Sequence, residues 1–481
     1  MRMKKYAAAL LTATTVIGSL AACGKDKPAK NDPTPAPATP AANTPAPDGP
    51  TAPVATPFPD RDLKGQAFII GDHWSPETPA APANTTQEEQ QAYREANFKK
   101  YNFRMQSKGV SSWDDMTNTC VDTIVAGTPA ADMFELDYRF VAKPMSQGLF
   151  YDLATLKELD FSEEKFLPAV TNLMKKGNAI YGMRTQVSEP RGGVIFNKAL
   201  FKAAGLSPDL PYDMQKKGEW TWNNFKDLCA KLTRDTNNDG VTDVYATVSQ
   251  GGETLQCLVA STGEDFFAKD ANGDLINNCR SQKVVDAMNF AQELYNLGYE
   301  CPQPADSNWD YFFNLFQTGK AAMTFGQEYM LQPVGQPYGQ EGMPGEDIGF
   351  VLPPKPDGQA QYYSYVCDNI TIIPSCFDAA KASDIAFAYN VYTAPVPGQD
   401  DPDAWLDQYK NHFNDKRAVE ETLPYFNDGK STQFLVSTLI AGLNVGDLVW
   451  QYPFAGKKPS DVVDTIWDNW QAQIDAANGK Q

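Results

Sequence analysis

Oxygen-bearing side chains alternate along a short loop near the middle of this sequence, at a spacing that suits a hard cation. They occupy loop positions 1, 3, 5 and 9: Asp235, Asn237, Asp239 and Asp243. Gly240 stands at position 6, where the chain must turn sharply, and the Val241 carbonyl adds a further oxygen. Calcium takes six to eight oxygen ligands at such spacing. The loop therefore predicts a structural Ca²⁺ ion, remote from any ligand site.

The same loop departs from a complete calcium-binding loop, which leaves a second interpretation open. Position 12 is Ala246 instead of a glutamate that would bind with both of its oxygens. Asn and Gly also shape polar turns that need no metal. The nearby stretch 270–274 is shorter, and it predicts a plain hairpin turn.

Catalytic groups are sparse. The chain has two histidines, His73 and His412, which rules out a site built from several histidines. It has no GxSxG motif for a serine hydrolase, and no GxGxxG motif or P-loop, so neither a redox nor a nucleotide cofactor is predicted. Two carboxylates suffice for a glycosidase, and 60 acidic residues leave that chemistry open.

Charge, length and cysteine usage narrow the class of protein. A formal net charge of −19 excludes nucleic acid as a partner, because its phosphates would be repelled. The 481 residues exceed what one core usually supports, which predicts two lobes. Seven cysteines follow Cys23 without any CxxC pair, which fits neither a disulfide framework nor a zinc site. We expect most of them to be small apolar core residues.

The N-terminal region predicts an export signal and a lipid anchor. A basic start and an apolar run over 7–20 precede Leu20-Ala-Ala-Cys23, which resembles the lipobox of bacterial lipoproteins. The resemblance implies that 1–22 is a cleaved signal peptide and that Cys23 carries lipid, such as palmitate, on its sulfur and amine. An ordinary signal peptide is the alternative. The Pro-, Ala- and Thr-rich stretch 23–62 predicts a disordered linker.

The folded body shows the periodicities of alternating strands and helices. Apolar runs predict strands at 66–72 and 131–136. Helical spacing of apolar residues predicts helices at 223–233 (with Thr221 as N-cap), 284–297, 378–392 and 460–476. This alternation indicates α/β layers with largely parallel sheets.

Several blocks of sequence carry a family resemblance. They are YGMR at 181–184, GVIFNK at 193–198, LF at 200–201, AGL at 204–206, WTWNNF at 220–225 with AKLT at 230–233, FQTGKAAMT at 316–324, ITIIP at 370–374 and QAQID at 471–475. In this order they resemble the sugar-binding extracellular solute-binding proteins of ABC importers, the family that includes maltose-binding protein. Some members of that family hold structural calcium in a loop like 235–243.

The resemblance implies a type II periplasmic-binding-protein-like fold, with two α/β lobes joined by hinge crossings. Mapped onto this chain, lobe one comprises 63–191 plus 326–377, and lobe two comprises 192–325 plus 378–481. Ligand would lie in the cleft between the lobes, where loops at the carboxyl ends of strands converge.

The resemblance also implies where ligand contacts lie: after the two predicted strands, at the first crossing and after the FQTGKAAMT block. Aromatic faces suit the apolar side of sugar rings, and planar polar groups suit adjacent hydroxyls. The predicted ligand-binding residues are Asp72, His73, Trp74, Asp137, Tyr138, Arg184, Glu189, Arg191, Gln327, Tyr329, Trp309, Tyr365, Asp368 and Asn444.

The sequence therefore predicts a monomeric substrate-binding protein, anchored by lipid to the outer face of the cell membrane, that is not an enzyme. It would capture a sugar or oligosaccharide by hinge closure and deliver it to the permease subunits of an ABC transporter. One alternative is a surface-anchored lipoprotein that binds or hydrolyses polysaccharide. Another is the same import fold carrying a peptide or other polar solute.

Overall fold

The computed structural model describes residues 58–78, 81–82, 85–185, 187–250, 252–308, 310–331, 347–366, 368–399, 404–406, 409, 415–428 and 430–480. The predicted signal peptide, Cys23 and nearly all of the predicted linker lie outside these residues. Among the described helices, none is both long and apolar enough to cross a membrane.

The strands are, in chain order, β1 Gln66–Asp72, β2 Phe103–Gly109, β3 Met133–Leu136, β4 Lys175–Lys176, β5 Ala179–Ile180, β6 Gly193–Asn197, β7 Tyr245–Ser249, β8 Phe267–Lys269, β9 Leu275–Asn277, β10 Ala321–Gly326, β11 Ile348–Val351, β12 Ser364–Val366, β13 Ile370–Ile372 and β14 Thr432–Phe434.

The α-helices are α1 Thr85–Tyr101, α2 Met116–Val125, α3 Ala142–Ser146, α4 Pro168–Leu173, α5 Lys198–Ala203, α6 Leu210–Lys217, α7 Trp222–Leu232, α8 Glu253–Ser261, α9 Gln282–Asn296, α10 Tyr311–Gln317, α11 Ala379–Tyr392, α12 Gly446–Val449 and α13 Pro459–Ala477. Short 3₁₀ helices lie at Tyr138–Phe140, Leu153–Thr155, Glu328–Leu331, Ala404–Leu406, Leu423–Asn427, Val436–Leu439 and Phe454–Gly456, and a π-helix at Ala418–Thr422.

The first sheet has the strand order β13-β3-β1-β2. β1 runs parallel to both β2 and β3, while β13 pairs antiparallel with β3. Phe68 and Ile70 pack on one face with α1 and α11, and Phe134 and Leu136 pack on the other. Because β1, β2 and β3 are parallel, their carboxyl ends meet at one edge of the sheet, and the loops that follow them converge there.

The second sheet has the order β11-β6-β10-β7. β10 is parallel to β7, but β6 is antiparallel to both β10 and β11. Every residue of β6, β10 and β11 is buried, as expected for strands covered on both faces. The prediction of largely parallel sheets is therefore wrong for this sheet.

Two elements, β11 and α11, pack with the opposite sheet from the one that the predicted lobe boundaries imply. β11 was assigned by position to lobe one, yet it pairs with β6 in the second sheet. The helix α11 was assigned to lobe two, yet its Ile385 and Phe387 pack among the core residues of the first sheet. Backbone pairing determines the place of β11, and the apolar face of the helix determines that of α11. The chain therefore returns to the first sheet between β12 and β13 and leaves it after α11.

The predicted elements themselves agree with the structure. β1 matches its prediction residue for residue, and the other predicted strand and helices start and end within two residues of the expected positions. Thr221 stands at the N-cap position of α7 without a side-chain capping bond. The stretch 270–274 is the predicted hairpin turn between the antiparallel strands β8 and β9. None of the six described cysteines forms a disulfide, and four of them are buried.

One buried carboxyl group stands out in the core of the second sheet. Glu300 is 6% exposed and accepts hydrogen bonds from Tyr452 Oη (2.7 Å), Ser249 Oγ (3.2 Å) and Thr254 Oγ1 (3.2 Å). Burial raises the pKa of Glu300 to about 7, and the three hydrogen bonds oppose that rise. The side chain therefore enters the core most readily in its protonated form.

We expect Glu300→Gln to stabilise the protein at alkaline pH. An unfolded glutamate has a pKa of about 4.3. The native state thus binds the proton more tightly, and stability is lost as the pH rises through the native pKa. The variant should match the parent at about pH 4, where the carboxyl is largely protonated in both states, and exceed it by about 3.5 kcal/mol at about pH 8.5 in urea unfolding. The exposed control Glu219→Gln should show no such pH dependence; an equal effect of Glu300→Gln at both pH values would contradict the prediction.

Candidate functional site

Aromatic side chains from three loops meet at the carboxyl edge of the first sheet. His73 and Trp74 follow β1, Trp113 follows β2 and Phe140 follows β3. The His73 ring lies 4.6 Å from Trp74 and 4.7 Å from Trp113, and Trp113 lies 4.7 Å from Phe140, all in edge-to-face contact. Trp74 is 45% exposed and Trp113 is 39% exposed. We call these four residues the aromatic wall.

The turn beneath the wall is fixed by Asp72 and Gly109. Asp72 is fully buried, and its carboxylate accepts the backbone N–H groups of Trp74 (3.0 Å) and Ser75 (2.7 Å). Gly109 donates its N–H to the Ser75 carbonyl at 3.1 Å, and a Cβ at this glycine would lie 2.7 Å from that oxygen. A glycine at the end of β2 therefore lets the first loop approach, and Asp72 orients Trp74.

His73 lies within the wall, where its surroundings change its pKa. Desolvation lowers its pKa, and the nearby carboxylates of Asp137 and Asp72 oppose that shift. The lowered pKa favours the uncharged form of the imidazole ring.

Arg139 lies against the wall and is held there by Asp137. Asp137 caps the 3₁₀ helix through the Arg139 N–H (2.9 Å) and pairs with Arg139 Nε (2.8 Å) and Nη2 (3.1 Å). The guanidinium carbon lies 4.6 Å from the ring centre of Trp113 and 5.2 Å from that of Tyr138. Tyr138 also packs against the core of the second sheet, so this loop reaches from one sheet to the other.

The first crossing between the sheets, residues 184–192, carries a network of ion pairs. Arg184 is 4% exposed, and its guanidinium lies 2.8 Å from Glu189, 3.5 Å from Glu135 and 3.7 Å from Asp368. Glu189 also pairs with Arg191. These carboxylates come from β3, from the first crossing itself and from the second crossing, which is the segment between β12 and β13. They therefore neutralise the buried charge from three sides.

The network continues into the second sheet. Arg191 Nη1 donates to Gln327, directly after β10, at 2.9 Å. Gln327 also hydrogen-bonds Glu253, in the first turn of α8, which in addition accepts a hydrogen bond from Tyr365 Oη. Burial raises the pKa of Glu253, while these hydrogen bonds and the charges of Arg139 and Arg191 oppose that shift. We call Glu135, Arg184, Glu189, Arg191, Gln327 and Asp368 the hinge chain.

Of the fourteen sequence-predicted residues, the structure places seven in the wall or the hinge chain: His73, Trp74, Arg184, Glu189, Arg191, Gln327 and Asp368. Asp72, Asp137 and Tyr138 lie directly beside the wall. Asn444 is separate in its contacts: its side chain bonds Gly446 N–H (3.0 Å) and Asp447 (2.8 Å) at the start of α12. Trp309 lies outside the described residues, and of Tyr329 the structure describes only the backbone. Among the described residues, those that line a cavity of about 320 Å³ all belong to the 304–317 segment.

Sequence reasoning missed Trp113, Phe140 and Glu253. The alternation of buried Phe103 and Met105 with exposed residues was a usable signal for β2, and a strand ending at Gly109 would have marked Trp113 as a strand-end residue. Glu253 had no such signal, because its partners Gln327 and Tyr365 are more than seventy positions away in sequence.

The structure has two mixed β-sheets that pack against helices, are joined by chain crossings and carry polar and aromatic loops at their edges. This arrangement is typical of a two-lobed solute-binding protein. The family model described as bacterial extracellular solute-binding protein matches residues 84–373. This chain belongs to that family.

Known relatives agree with this placement at low identity. The sn-glycerol-3-phosphate-binding periplasmic protein UgpB of Escherichia coli K12 is 25% identical over 179 residues, which are 36% of this chain and only 37% of that protein. The cyclic α-maltosyl-1,6-maltose binding protein of Arthrobacter globiformis has a TM-score of 0.59 at 14% identity, covering 86% of this chain and 98% of its own. The structure of UgpB from Mycobacterium tuberculosis in complex with glycerophosphocholine has a TM-score of 0.59 at 13% identity, covering 85% of this chain and 98% of its own. The solved structures thus share the fold.

The predicted calcium loop is closed by its own hydrogen bonds. Asp235 accepts the N–H groups of Asn238 (2.7 Å) and Gly240 (2.8 Å), and Asp243 accepts that of Thr236 (2.8 Å). Within the part of the chain that the structure describes, no group of three or more His, Cys, Asp or Glu side chains is placed to hold a metal ion. Calcium at this loop stays a prediction of the sequence.

We expect calcium to raise the melting temperature relative to chelator, because a ligand of the native state stabilises it by mass action. The gain is about 2.7 kcal/mol when free calcium is about 100-fold above its Kd. Asp235→Asn should abolish the calcium-dependent shift. Asp270→Asn alters the similar turn at 270–274 and should leave the shift intact. Equal melting temperatures with calcium and with chelator would leave the plain polar turn as the correct interpretation.

Proposed function

We propose that this protein captures an uncharged sugar or oligosaccharide outside the cell and delivers it to the permease of an ABC importer. The aromatic wall carries this proposal. Trp74 and Trp113 are large, exposed rings at the edge where ligands of α/β proteins bind, and sugar rings place their apolar faces on such rings. The family match and the fold shared with a maltose-type binding protein support it.

In the proposed mechanism the two sheets supply complementary contacts. The wall, on the first sheet, would stack against a ring, while Glu253 and Gln327, beside the second sheet, would bind hydroxyl groups. A ligand that touches both sides binds the closed arrangement more tightly than the open one, so binding shifts the hinge equilibrium toward closure. The permease would recognise the closed arrangement. We propose binding without turnover, in keeping with a family of binding proteins.

A glycerophosphate-type ligand is the second candidate, and the UgpB relatives favour it. The charges at this site argue against it. Arg139 is paired with Asp137, Arg184 with three carboxylates and Arg191 with Glu189. A phosphate would have to displace a carboxylate from one of these arginines and would then lie beside the displaced negative charge. An uncharged ligand meets no such cost.

We also propose that Cys23 anchors the protein by lipid to the outer face of the membrane, with 24–62 as a spacer. The support is the lipobox-like sequence before Cys23. Several acyl chains on one residue would hold the protein at the membrane durably, whereas one chain binds only marginally.

Trp113→Ala should weaken binding of the preferred sugar by about 10- to 100-fold, since an indole that stacks on a ring contributes about 1.5–3 kcal/mol. Trp74→Ala should have a similar effect, and the exposed control Leu297→Ala should have none. Isothermal titration calorimetry measures the affinities, and thermal unfolding shows that each variant is folded. Unchanged affinity in both tryptophan variants would contradict the site assignment.

A thermal-shift screen with neutral oligosaccharides and with glycerophosphocholine tests the class of ligand. We expect stabilisation by one class of neutral sugar, none by the phosphodiester and no release of reducing sugar on incubation. Stabilisation by glycerophosphocholine alone would overturn the charge argument. Release of reducing sugar would favour the glycoside-hydrolysing alternative.

A further inference from the structure

We propose that Glu189 is a positioning residue of the hinge: its single carboxylate joins the two sheets and sets how freely the protein closes on its ligand. The proposal rests on the binding function proposed above and assigns this residue a role other than direct ligand contact.

The first crossing runs beside the second crossing, where the chain returns between β12 and β13. Glu189 N–H donates to Asp368 at 2.8 Å, and Gly192 N–H donates to the Tyr365 carbonyl at 3.3 Å. A Cβ at Gly192 would lie 2.6 Å from Ser364 Oγ, so the two crossings are in direct contact here. Any movement between the sheets must act on this pair of segments.

The carboxylate of Glu189 is shared between two arginines that belong to different sides of the hinge. One oxygen pairs with Arg184, which is tied to the first sheet through Glu135 and through the Asn369 carbonyl at 3.2 Å. The other oxygen pairs with Arg191, which is tied to the end of β10 through Gln327. In this arrangement the two guanidinium groups are connected through Glu189.

Loss of the negative charge would break this connection while leaving each end anchored. Arg184 would keep Glu135 and Asp368, and Arg191 would keep Gln327. The crossing would then sample more arrangements in the free protein, and ligand binding would have to order it. Such a cost lowers the affinity for every ligand by the same factor, because it is a property of the protein alone.

Two measurements on Glu189→Gln test the proposal. Hydrogen exchange of the ligand-free protein should show faster exchange for amides of 184–192 than in the parent. Calorimetry with two or more sugars that bind the parent should show affinity lowered about fivefold for each, within the range by which residues remote from a ligand modulate coupling. The ratio of affinities between the sugars should stay unchanged.

Other outcomes separate the two proposals. Affinity lost for one sugar and kept for another would show direct contact and overturn the hinge role, as would unchanged exchange in 184–192. If no sugar binds the parent and Glu189→Gln still shows faster exchange in 184–192, the hinge role is supported and the proposed ligand class is contradicted.

Matched variants guard against a trivial result. Glu420→Gln removes an exposed carboxylate paired with Lys416 at 3.3 Å and should change neither measurement. If Glu189→Gln fails to fold, Arg191→Lys keeps the positive charge but loses the planar fork that pairs with a carboxylate, and it should give the same faster exchange. Unaltered exchange in a folded Arg191→Lys protein would likewise overturn the proposal.

Discussion

The buried charge of Arg184 is the constraint on which the junction between the sheets depends. An isolated guanidinium at 4% exposure would carry a large desolvation cost, which only nearby carboxylates and hydrogen bonds offset. Those carboxylates are Glu135 on β3, Glu189 on the first crossing and Asp368 on the second. Since they come from three separate segments, compensating one charge also requires the two crossings to lie side by side at the edge of the first sheet.

Local periodicity was enough to predict individual elements, but it could not predict their partners. The strand 66–72 and the helix 379–392 were readable from apolar spacing, because burial of one face leaves a pattern in the sequence. Which sheet each element joins depends on contacts between distant segments. β11 is a short buried strand that would suit either sheet, and only its antiparallel pairing with β6 places it in the second.

Part of the candidate site could likewise be predicted from the sequence, and part of it could not. Polar and aromatic residues directly after β1 and β3 do converge, because parallel strands end at a common edge. Arg184 and Glu189 were predicted as ligand contacts, yet the structure pairs them with each other. An arginine that binds ligand and one that pairs with carboxylates look the same in a sequence. The partner Asp368 is 184 positions from Arg184, so nothing local marks the pair.

The carboxylates that pair with Arg184 also bear on the class of ligand that we propose. Burial raises the pKa of Glu135 against the opposing charge of Arg184, and the neighbouring charges of Glu189 and Asp72 add to the rise. The pKa of Asp368 is likewise raised by burial and by Glu189, against the pull of Arg184. Three carboxylates, those of Glu135, Glu189 and Asp368, already lie beside Arg184. A phosphate placed here would add to that crowding, whereas a sugar hydroxyl donates a hydrogen bond to a carboxylate and relieves it. The charges around the buried arginine that joins the sheets thus support the proposal of an uncharged ligand.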